Sequence, residues 1–469
     1  MSNVDDIAQV DAVIASARKA QAQYEANGSQ ELYDKAALAV GWAIMEPARN
    51  EEMATLAVES TGLGNVTDKI TKNHRKTLGL LRDIQDVKTY GIIEEDAEKG
   101  ITKIARPIGV VGAVVPSTNP IATPANNIIN ALKCGNAIVL SPSPKGVAGC
   151  ERLLGYIYAE FDKIGVSRDL VQMVPPPGTK DKTQRMLETT DLVVVTGSQN
   201  NVRRAYTSGT PAIGVGAGNV TVIVDETADL DAAAQKIAAS KCFDNATSCS
   251  SENSLIVVDE IYDDFMDALA RAGGAVLPNE KEPQIIENLF KKGHLSRDVI
   301  AQDADKLITA LGLEGEVPAG SQFICIETDG IGADYPLSGE KLSRVAALYR
   351  AADFDAAKAK AAEMLNHYGA GHSVGLHSAN ADRAVSMGLE LPTCRVIVNQ
   401  AHCFATGGAF NNGMPFSLSM GCGSWGGNSI DENLHWKHFL NITKIVREIP
   451  EKVPELDDIF GDYWGDAGK

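Results

Sequence analysis

Three observations predict an α/β fold for this chain. Between residues 107 and 259, apolar runs rich in Val and Ile alternate with helical stretches, a pattern that implies βαβ units and a mostly parallel sheet. The chain has 469 residues, more than one ordinary domain, so two or three α/β units sharing one fold are expected. Hydrophobic residues make up 44% of it, enough to bury a large core.

The stretch 4–25 places Ile7, Val10, Val13, Ile14 and Ala17 on one helical face, which predicts a packed first helix. Further helices run to about residue 86. Residues 89–105, TYGIIEEDAEKGITKIA, carry alternating apolar residues on both sides of a Gly-containing turn and read as a hairpin. Strands at 137–140, 171–174, 192–196 and 220–225 then alternate with helices near 146–165, 179–190 and 198–208. A parallel sheet binds ligands beyond the carboxyl ends of its strands. The turn Thr196, Gly197, Ser198 leaves such an end and opens a helix that Ser198 can cap. A helix N-terminus offers N–H groups to a pyrophosphate. The run GVGAG at 214–218 leads into a strand rather than a helix, so it is not a phosphate loop.

A second α/β domain is expected beyond this point. An Ala-rich helix at 230–243 and a strand at 254–259 are followed, between about 260 and 406, by helices (287–292, 354–365) and short strands (323–327, 345–349, 396–399). After Gly407 the chain returns to the first domain and ends in a strand-like pattern at 437–449. The acidic tail 451–469 is expected to be a solvated surface piece.

A formal net charge of −18 with no basic stripe argues against a nucleic-acid partner. No apolar run suits a signal peptide or spans a bilayer, so a cytoplasmic protein without membrane association is expected. Cysteines at 134, 150, 242, 249, 325, 394, 403 and 422 form no CxxC pair and accompany no paired His spacing; no metal is expected, and the thiols are mostly free.

The most informative stretch is 243–254, FDNATSCSSENS, a short loop between helix and strand. A lone Cys is ordinarily a small buried hydrophobe. Cys249, however, sits among Asn245, Thr247, Ser248, Ser250, Ser251, Glu252 and Asn253, which do not build apolar core, and loops on rigid scaffolds are where catalytic residues concentrate. The reading is a nucleophilic thiol, favoured as thiolate by nearby backbone N–H groups. Cys422, in the Gly-rich run GCGSWGGN (421–428), lacks both a base and a polar rim and ranks second; that run suits a loop close to ligand, with Trp425 packed beneath it.

FDNATSCSSENS resembles the catalytic-cysteine segment of the CoA-acylating branch of the aldehyde dehydrogenase superfamily, the group of acetaldehyde, succinate-semialdehyde and sulfoacetaldehyde dehydrogenases. PIGVVGAVVPSTNPIATP (107–124), GTPAIGVGAGN (209–219) and GCGSWGGNSIDEN (421–433) agree with it in the family's order. The resemblance implies two Rossmann-like domains and an oligomerisation arm. Residues 1–228 would bind the nicotinamide cofactor, with the hairpin 89–105 for oligomerisation. Residues 229–410 would be catalytic and carry Cys249, and 411–469 would return to the first domain as an arm. A homo-oligomer, dimer or tetramer, follows. An encapsulation peptide, which some family members carry, is the weaker reading of the first helix, because no linker separates it from the next.

The implied chemistry is thiolate attack on an aldehyde, hydride loss to the nicotinamide, and a thioester on Cys249 that CoA collects. Asn119, in PSTNP, stands at the family's oxyanion-hole position, although an Asn before Pro is by itself a turn residue. The family holds its cofactor through a VVVTGS-type turn, which carries over to Gly197 and Ser198. Pro116, Ser117, Ser141, Pro142 and Lys145 are further cofactor positions, and Gly216 and Gly218 allow close backbone approach. Glu340, in GEKLSRV, matches the Glu that hydrogen-bonds the nicotinamide ribose. Ser141 replaces an adenosine-ribose Lys of many relatives and Pro144 a carboxylate of NAD-selective ones, so NADP or NAD is implied. Val215 occupies the place of the Glu that primes water in hydrolytic relatives, so the thioester waits for coenzyme A.

His367, His372 and His402 are candidates for activating the CoA thiol. The resemblance implies that the run 398–415 and the residues beside Cys249 line the aldehyde pocket; both are polar, which favours a short polar aldehyde, with Thr247, Ser248 and His402 able to hydrogen-bond an anionic tail. Sulfoacetaldehyde leads, then succinate semialdehyde or acetaldehyde, but no Arg clamp for a sulfonate is evident in these stretches. The main expectation is a reversible CoA-acylating aldehyde dehydrogenase. The alternatives are a hydrolytic NAD(P)-dependent enzyme giving the free acid, a catalytically silent nucleotide-binding relative, and a cysteine hydrolase, for which no Cys–His–Asn arrangement is signalled.

Overall fold

Four helices open the chain in the computed structural model, which describes residues 3–468: α1 (Asn3–Ala26), α2 (Gln30–Met45), α3 (Pro47–Thr61) and α4 (Val66–Ile84). Ser29 starts α2 by accepting the Leu32 N–H at 3.1 Å, and Gly62 ends α3 in a left-handed conformation. The inward face of α2 is apolar, with Tyr33, Ala36, Val40 and Ile44 buried. By contrast, α4 buries a polar row, Lys69, Lys72, Asn73 and Lys76, at helical spacing.

A hairpin of β1 (Gly91–Asp96) and β2 (Ile101–Pro107) follows. Next come β3 (Val110–Val115), α5 (Ala122–Lys133), β4 (Ala137–Pro142), α6 (Val147–Ile164), β5 (Val171–Met173), α7 (Lys180–Thr189), β6 (Leu192–Val195), α8 (Gln199–Tyr206) and β7 (Ala212–Gly214). Their strands make a parallel sheet in the order β5-β4-β3-β6-β7. Every residue of β3 and β4 is buried, as two-sided burial of a parallel sheet requires.

The second unit begins at β8 (Val220–Val224) and α9 (Leu230–Cys242), then β9 (Glu252–Val258), α10 (Tyr262–Arg271), β10 (Gly274–Leu277), α11 (Glu282–Leu289), the pair β11 (Phe290–Lys291) and β12 (His294–Leu295), and α12 (Ala304–Leu311). It continues through β13 (Phe323–Glu327), β14 (Val345–Ala351), α13 (Phe354–His367), β15 (Val374–His377), α14 (Ala381–Glu390), β16 (Val396–Val398) and α15 (His402–Ala405). Seven parallel strands run β10-β13-β14-β9-β8-β15-β16, with a separate apolar core on each face.

The expected boundary at residue 228 is corrected by this topology. β8 pairs with β9 and β15, so the chain crosses between sheets at 215–219. The helix expected at 287–292 lies earlier, as α11, because Pro283 fits its first turn while Phe290 turns extended. The last segment returns Phe416, Leu434, Phe439 and Leu440 to the first core, and β17 (Leu440–Val446) pairs antiparallel with β2 to complete a β1-β2-β17 sheet. The tail contains α16 (Leu456–Ala467), exposed as anticipated yet presenting Leu456, Ile459, Phe460 and Tyr463 to solvent, so it is more than a solvated piece. No described helix is long and apolar enough to cross a membrane.

Candidate active site

Residues that follow the carboxyl ends of β3, β4 and β6 line a cavity of about 570 Å³ whose opposite side is the loop before β9. Pro116, Ser117, Asn119, Ser141, Pro142, Gly197, Ser198, Gly216, Gly218, Thr247, Ser248, Cys249 and Glu340 all lie on its wall. The sheet thus gathers residues spread over more than two hundred positions at its binding edge.

The loop reaches Cys249 through strained backbone. Asp244, Asn245 and Ala246 have φ of 48°, 54° and 59°, three successive non-glycine residues in the left-handed region. Side-chain bonds hold them there. Asp244 Oδ1 accepts the Asn65 N–H at 3.1 Å, and its Oδ2 accepts from Lys69 at 3.1 Å, from Thr247 Oγ1 at 2.7 Å and from Lys72. Burial opposes the charge on Asp244, but Lys72 and Lys69 overcome it and keep the carboxyl below its usual range. Asn245 Oδ1 takes two bonds from Arg344, at 3.0 and 2.6 Å, while its amide donates to Asp303 Oδ1 at 3.0 Å.

Burial, and then Glu340, push the Cys249 thiol up to about 12. This corrects the expectation of a thiol favoured as thiolate: backbone donors do not offset the loss of water, and the proton must be removed. His372 Nε2 lies 3.3 Å from Cys249 Sγ. Behind it, Nδ1 is 2.8 Å from Ser373 Oγ, which is 2.9 Å from His402 Nε2. Burial and the nearby Arg395 push His372 down to about 3, and burial holds His402 well below its usual range, so both rings are neutral near pH 7. With Nδ1–H donating to Ser373, the lone pair of His372 Nε2 faces the thiol.

Asn119 is oriented from α4. Lys72 has only donors, and its ammonium lies 3.0 Å from Asn119 Oδ1, so the Asn119 amide N–H groups face away from it. The same ammonium donates to Thr247 Oγ1 at 3.0 Å and pairs with Asp244, joining the Asn119 turn to the thiol loop. Lys69 adds a bond to Thr118 O at 3.2 Å.

Along the rest of the wall, Ser198 caps α8 by accepting the Asn201 N–H at 3.4 Å, and the first-turn N–H groups of that helix have no helical carbonyl to bond. Ser141 Oγ is 3.0 Å from Thr183 Oγ1. A Cβ on Gly218 would stand 2.2 Å from Cys249 O, so that position requires glycine, while one on Gly216 would stand a tight 3.0 Å from Cys422 Sγ. Glu340 accepts no hydrogen bond from any described residue, and burial pushes its carboxyl up to about 8. Val215 presents a buried aliphatic side chain to the cavity.

Some expected residues lie elsewhere. Lys145 is absent from the wall, its ammonium donating to Thr61 O at 3.1 Å. His402 is fully enclosed behind Ser373 and cannot touch a substrate tail. Thr247 spends its hydroxyl on Asp244 and Lys72. His367 is exposed at the end of α13, and Trp425 is 54% exposed rather than packed beneath its loop. The sequence reading missed Lys72, Arg75 and Lys76 of α4, and Lys180 and Arg204, all on the wall. Polar residues recurring every three or four positions in KITKNHRK signal one helix face, but such a face is ordinarily solvated.

It also passed over His435 and His438, which with Glu432 bring three ligand atoms within 4.8 Å of one another. Both Nε2 atoms lie on the Glu432 carboxylate, at 3.2 and 3.3 Å, while His435 Nδ1 accepts the Lys437 N–H at 3.5 Å and His438 Nδ1 lies 3.1 Å from both the N–H and the O of His435. The three side chains thus bond one another and the turn before β17, and the group reads as a hydrogen-bonded cap.

The aldehyde dehydrogenase family model matches residues 3–282 of the chain. An acylating sulfoacetaldehyde dehydrogenase from Cupriavidus necator is 55% identical over 98% of this chain and 93% of that protein. A crystal structure of an acetylating aldehyde dehydrogenase from Geobacillus thermoglucosidasius superposes with a TM-score of 0.91 at 31% identity, covering 97% of this chain and 99% of that one. A propionaldehyde dehydrogenase from Rhodopseudomonas palustris, crystallised with bound CoA and an acylated cysteine, gives 0.83 at 26% identity over 93% of this chain and 97% of that one.

Proposed function

The chain belongs to the aldehyde dehydrogenase family, and from that premise we propose a CoA-acylating aldehyde dehydrogenase that converts a short polar aldehyde, sulfoacetaldehyde first, into its acyl-CoA with NAD or NADP. The reading is carried by one arrangement: a half-buried thiol 3.3 Å from a neutral imidazole, in a cavity that sets the aliphatic Val215 rather than a carboxylate beside it. Glu340 is the only acidic residue among the described residues of the wall, and loss of water raises its carboxyl to about 8.

The residues present fit a nicotinamide dinucleotide. Glu340, an acidic group without a partner, would take the hydroxyls of a ribose, and the start of α8 at Gly197 and Ser198 would take a pyrophosphate. Lys180 and Arg204 replace Lys145 as the cations at the adenosine end, where no carboxylate repels a 2′-phosphate, so NADP is accepted as well as NAD. When bound, the nicotinamide supplies a hydride acceptor.

His372 Nε2 takes the Cys249 proton, and the sulfur attacks the aldehyde carbon. The Asn119 amide, turned by Lys72, and the Cys249 backbone N–H hold the resulting oxyanion. Oxidation would leave a thioester on Cys249, and the proton taken up at His372 Nε2 leaves by way of the cavity, since the chain through Ser373 ends at a buried His402 Nδ1 without a partner. The CoA thiol then attacks the thioester carbon; its proton passes by way of His372 to the departing Cys249 sulfur, restoring the free thiol. Val215 presents no carboxylate to prime water at the thioester, which disfavours the free-acid alternative.

The exposed Ile442, Ile445 and Val446 on β17, and the exposed Leu456, Ile459 and Phe460 on α16, support a homo-oligomer that uses the β1-β2-β17 sheet. A cytoplasmic location is consistent with free thiols throughout. Purified protein should reduce NAD(P) with aldehyde at a sustained rate only when CoA is present, and full turnover without CoA would overturn the proposal.

A further inference from the structure

α4 sends three cations to the cavity, and only one of them has a carboxylate. Lys72 shares Asp244 with Lys69. Arg75 and Lys76, also on the wall, form no ion pair with any described residue. Arg75 uses Nη2 alone, donating to Phe404 O at 3.1 Å and Gly408 O at 3.3 Å, which leaves the N–H groups of Nε and Nη1 unclaimed. Its guanidinium is fixed over two rings, 5.0 Å from Phe404 and 5.6 Å from Phe416. Lys76 is buried and donates to Ser417 O at 3.2 Å and to Gly407 O, so one of its three N–H groups remains. Gly407 makes room for it, since a Cβ there would stand 2.5 Å from Nζ.

Burial, and then Arg75, pull the Lys76 ammonium down to about 7, so a buried Lys76 beside a half-buried Arg75 with no counter-charge is fully charged only when an anion arrives. The protein carries a net charge of −18, so acidic residues abound, yet none neutralises this pair. The pair lies one helical turn beyond Lys72, whose ammonium bonds Asn119 Oδ1 and Thr247 Oγ1 beside the thiol loop, so it shares the Cys249 side of the wall.

We propose that Arg75 and Lys76 form an anion subsite that holds the charged tail of a short aldehyde, a sulfonate or a carboxylate, while its carbonyl carbon meets Cys249. The proposal rests on the acylating reading above and adds to it the side chains that choose the substrate. Guanidinium N–H groups aligned by the two rings would bond two oxygens of the tail, and the spare Lys76 N–H a third. The clamp that was not evident beside Cys249 thus comes from a helix far away in the chain.

The test measures kcat/KM for sulfoacetaldehyde, succinate semialdehyde and propionaldehyde, with NADP and CoA, in the wild type and in Arg75→Gln, Lys76→Met and Arg75→Lys. The wild type should favour an anionic aldehyde, and the anionic-to-neutral ratio should fall roughly 30-fold or more in Arg75→Gln and Lys76→Met, mainly through KM, with partial recovery in Arg75→Lys. A fall for both anionic aldehydes, or for the sulfonate or the carboxylate alone, supports the subsite and says which tail it holds. A ratio that stays within about threefold of the wild type in both variants overturns it. The acylating reading fails separately, if no aldehyde gives CoA-dependent reduction. Ethanesulfonate should even then slow alkylation of wild-type Cys249 by iodoacetamide and lose that protection in Lys76→Met; equal protection in both, or none in the wild type, also overturns the subsite.

Discussion

The loop 243–254 and helix α4 face one cavity and hold polar groups there by opposite means. The loop bends three successive non-glycine residues into left-handed backbone to bring one sulfur to the wall. The helix keeps regular geometry and delivers Lys72, Arg75 and Lys76 through spacing alone. Placing a single reacting atom thus costs backbone strain, which the bonds to Asp244 and Asn245 offset. Supplying charge requires only that buried ammonium groups find acceptors, as Lys72 does on Asp244.

Substitutions on the two sides sharpen this contrast. Cys249→Ser should abolish CoA-dependent NAD(P)H formation, since nothing else on the wall sits 3.3 Å from a base; surviving reduction would remove the sulfur from the chemistry. Lys72→Met breaks the tie between the sides, and should cost about 3 to 5 kcal/mol in urea unfolding by leaving Asp244 undercompensated. Asn119→Ala should raise the barrier by about 3 kcal/mol in kcat, with the fold intact by circular dichroism. Alkylation of Cys249 should quicken about tenfold per pH unit from 7 to 9, because a thiol near 12 gains thiolate throughout that range. A plateau in that range would reveal a standing thiolate–imidazolium pair instead. Ala246→Gly should stabilise the protein by about 1 kcal/mol, since only glycine takes its φ of 59° without strain.

Much of the loop side was legible in the sequence. A thiol ringed by Asn, Thr and Ser needs no fold to look unusual, and runs such as VVGAVV announce parallel strands because burial on both faces leaves no room for polar alternation. The helix side was not legible. A Lys at every third or fourth position is the ordinary mark of a wet surface, and only the packing of α4 against the loop turns that face inward. The domain boundary was missed for a related reason: VTVIV at 220–224 is apolar enough for either sheet, and hydrophobicity does not say which strand it pairs with. The state of Cys249 was misread because the polar residues beside it in sequence do not supply the water that burial removes.

Residues 215–219 link the two sheets and supply a wall at the reacting sulfur, with the Gly218 backbone pressed against Cys249. Four of the five, Val215 to Gly218, are thus both link and wall. Any tilt of one sheet against the other opens or tightens the gap around the acylated sulfur directly, so the passage of a bulky thiol carrier and the grip on the small aldehyde are mechanically linked.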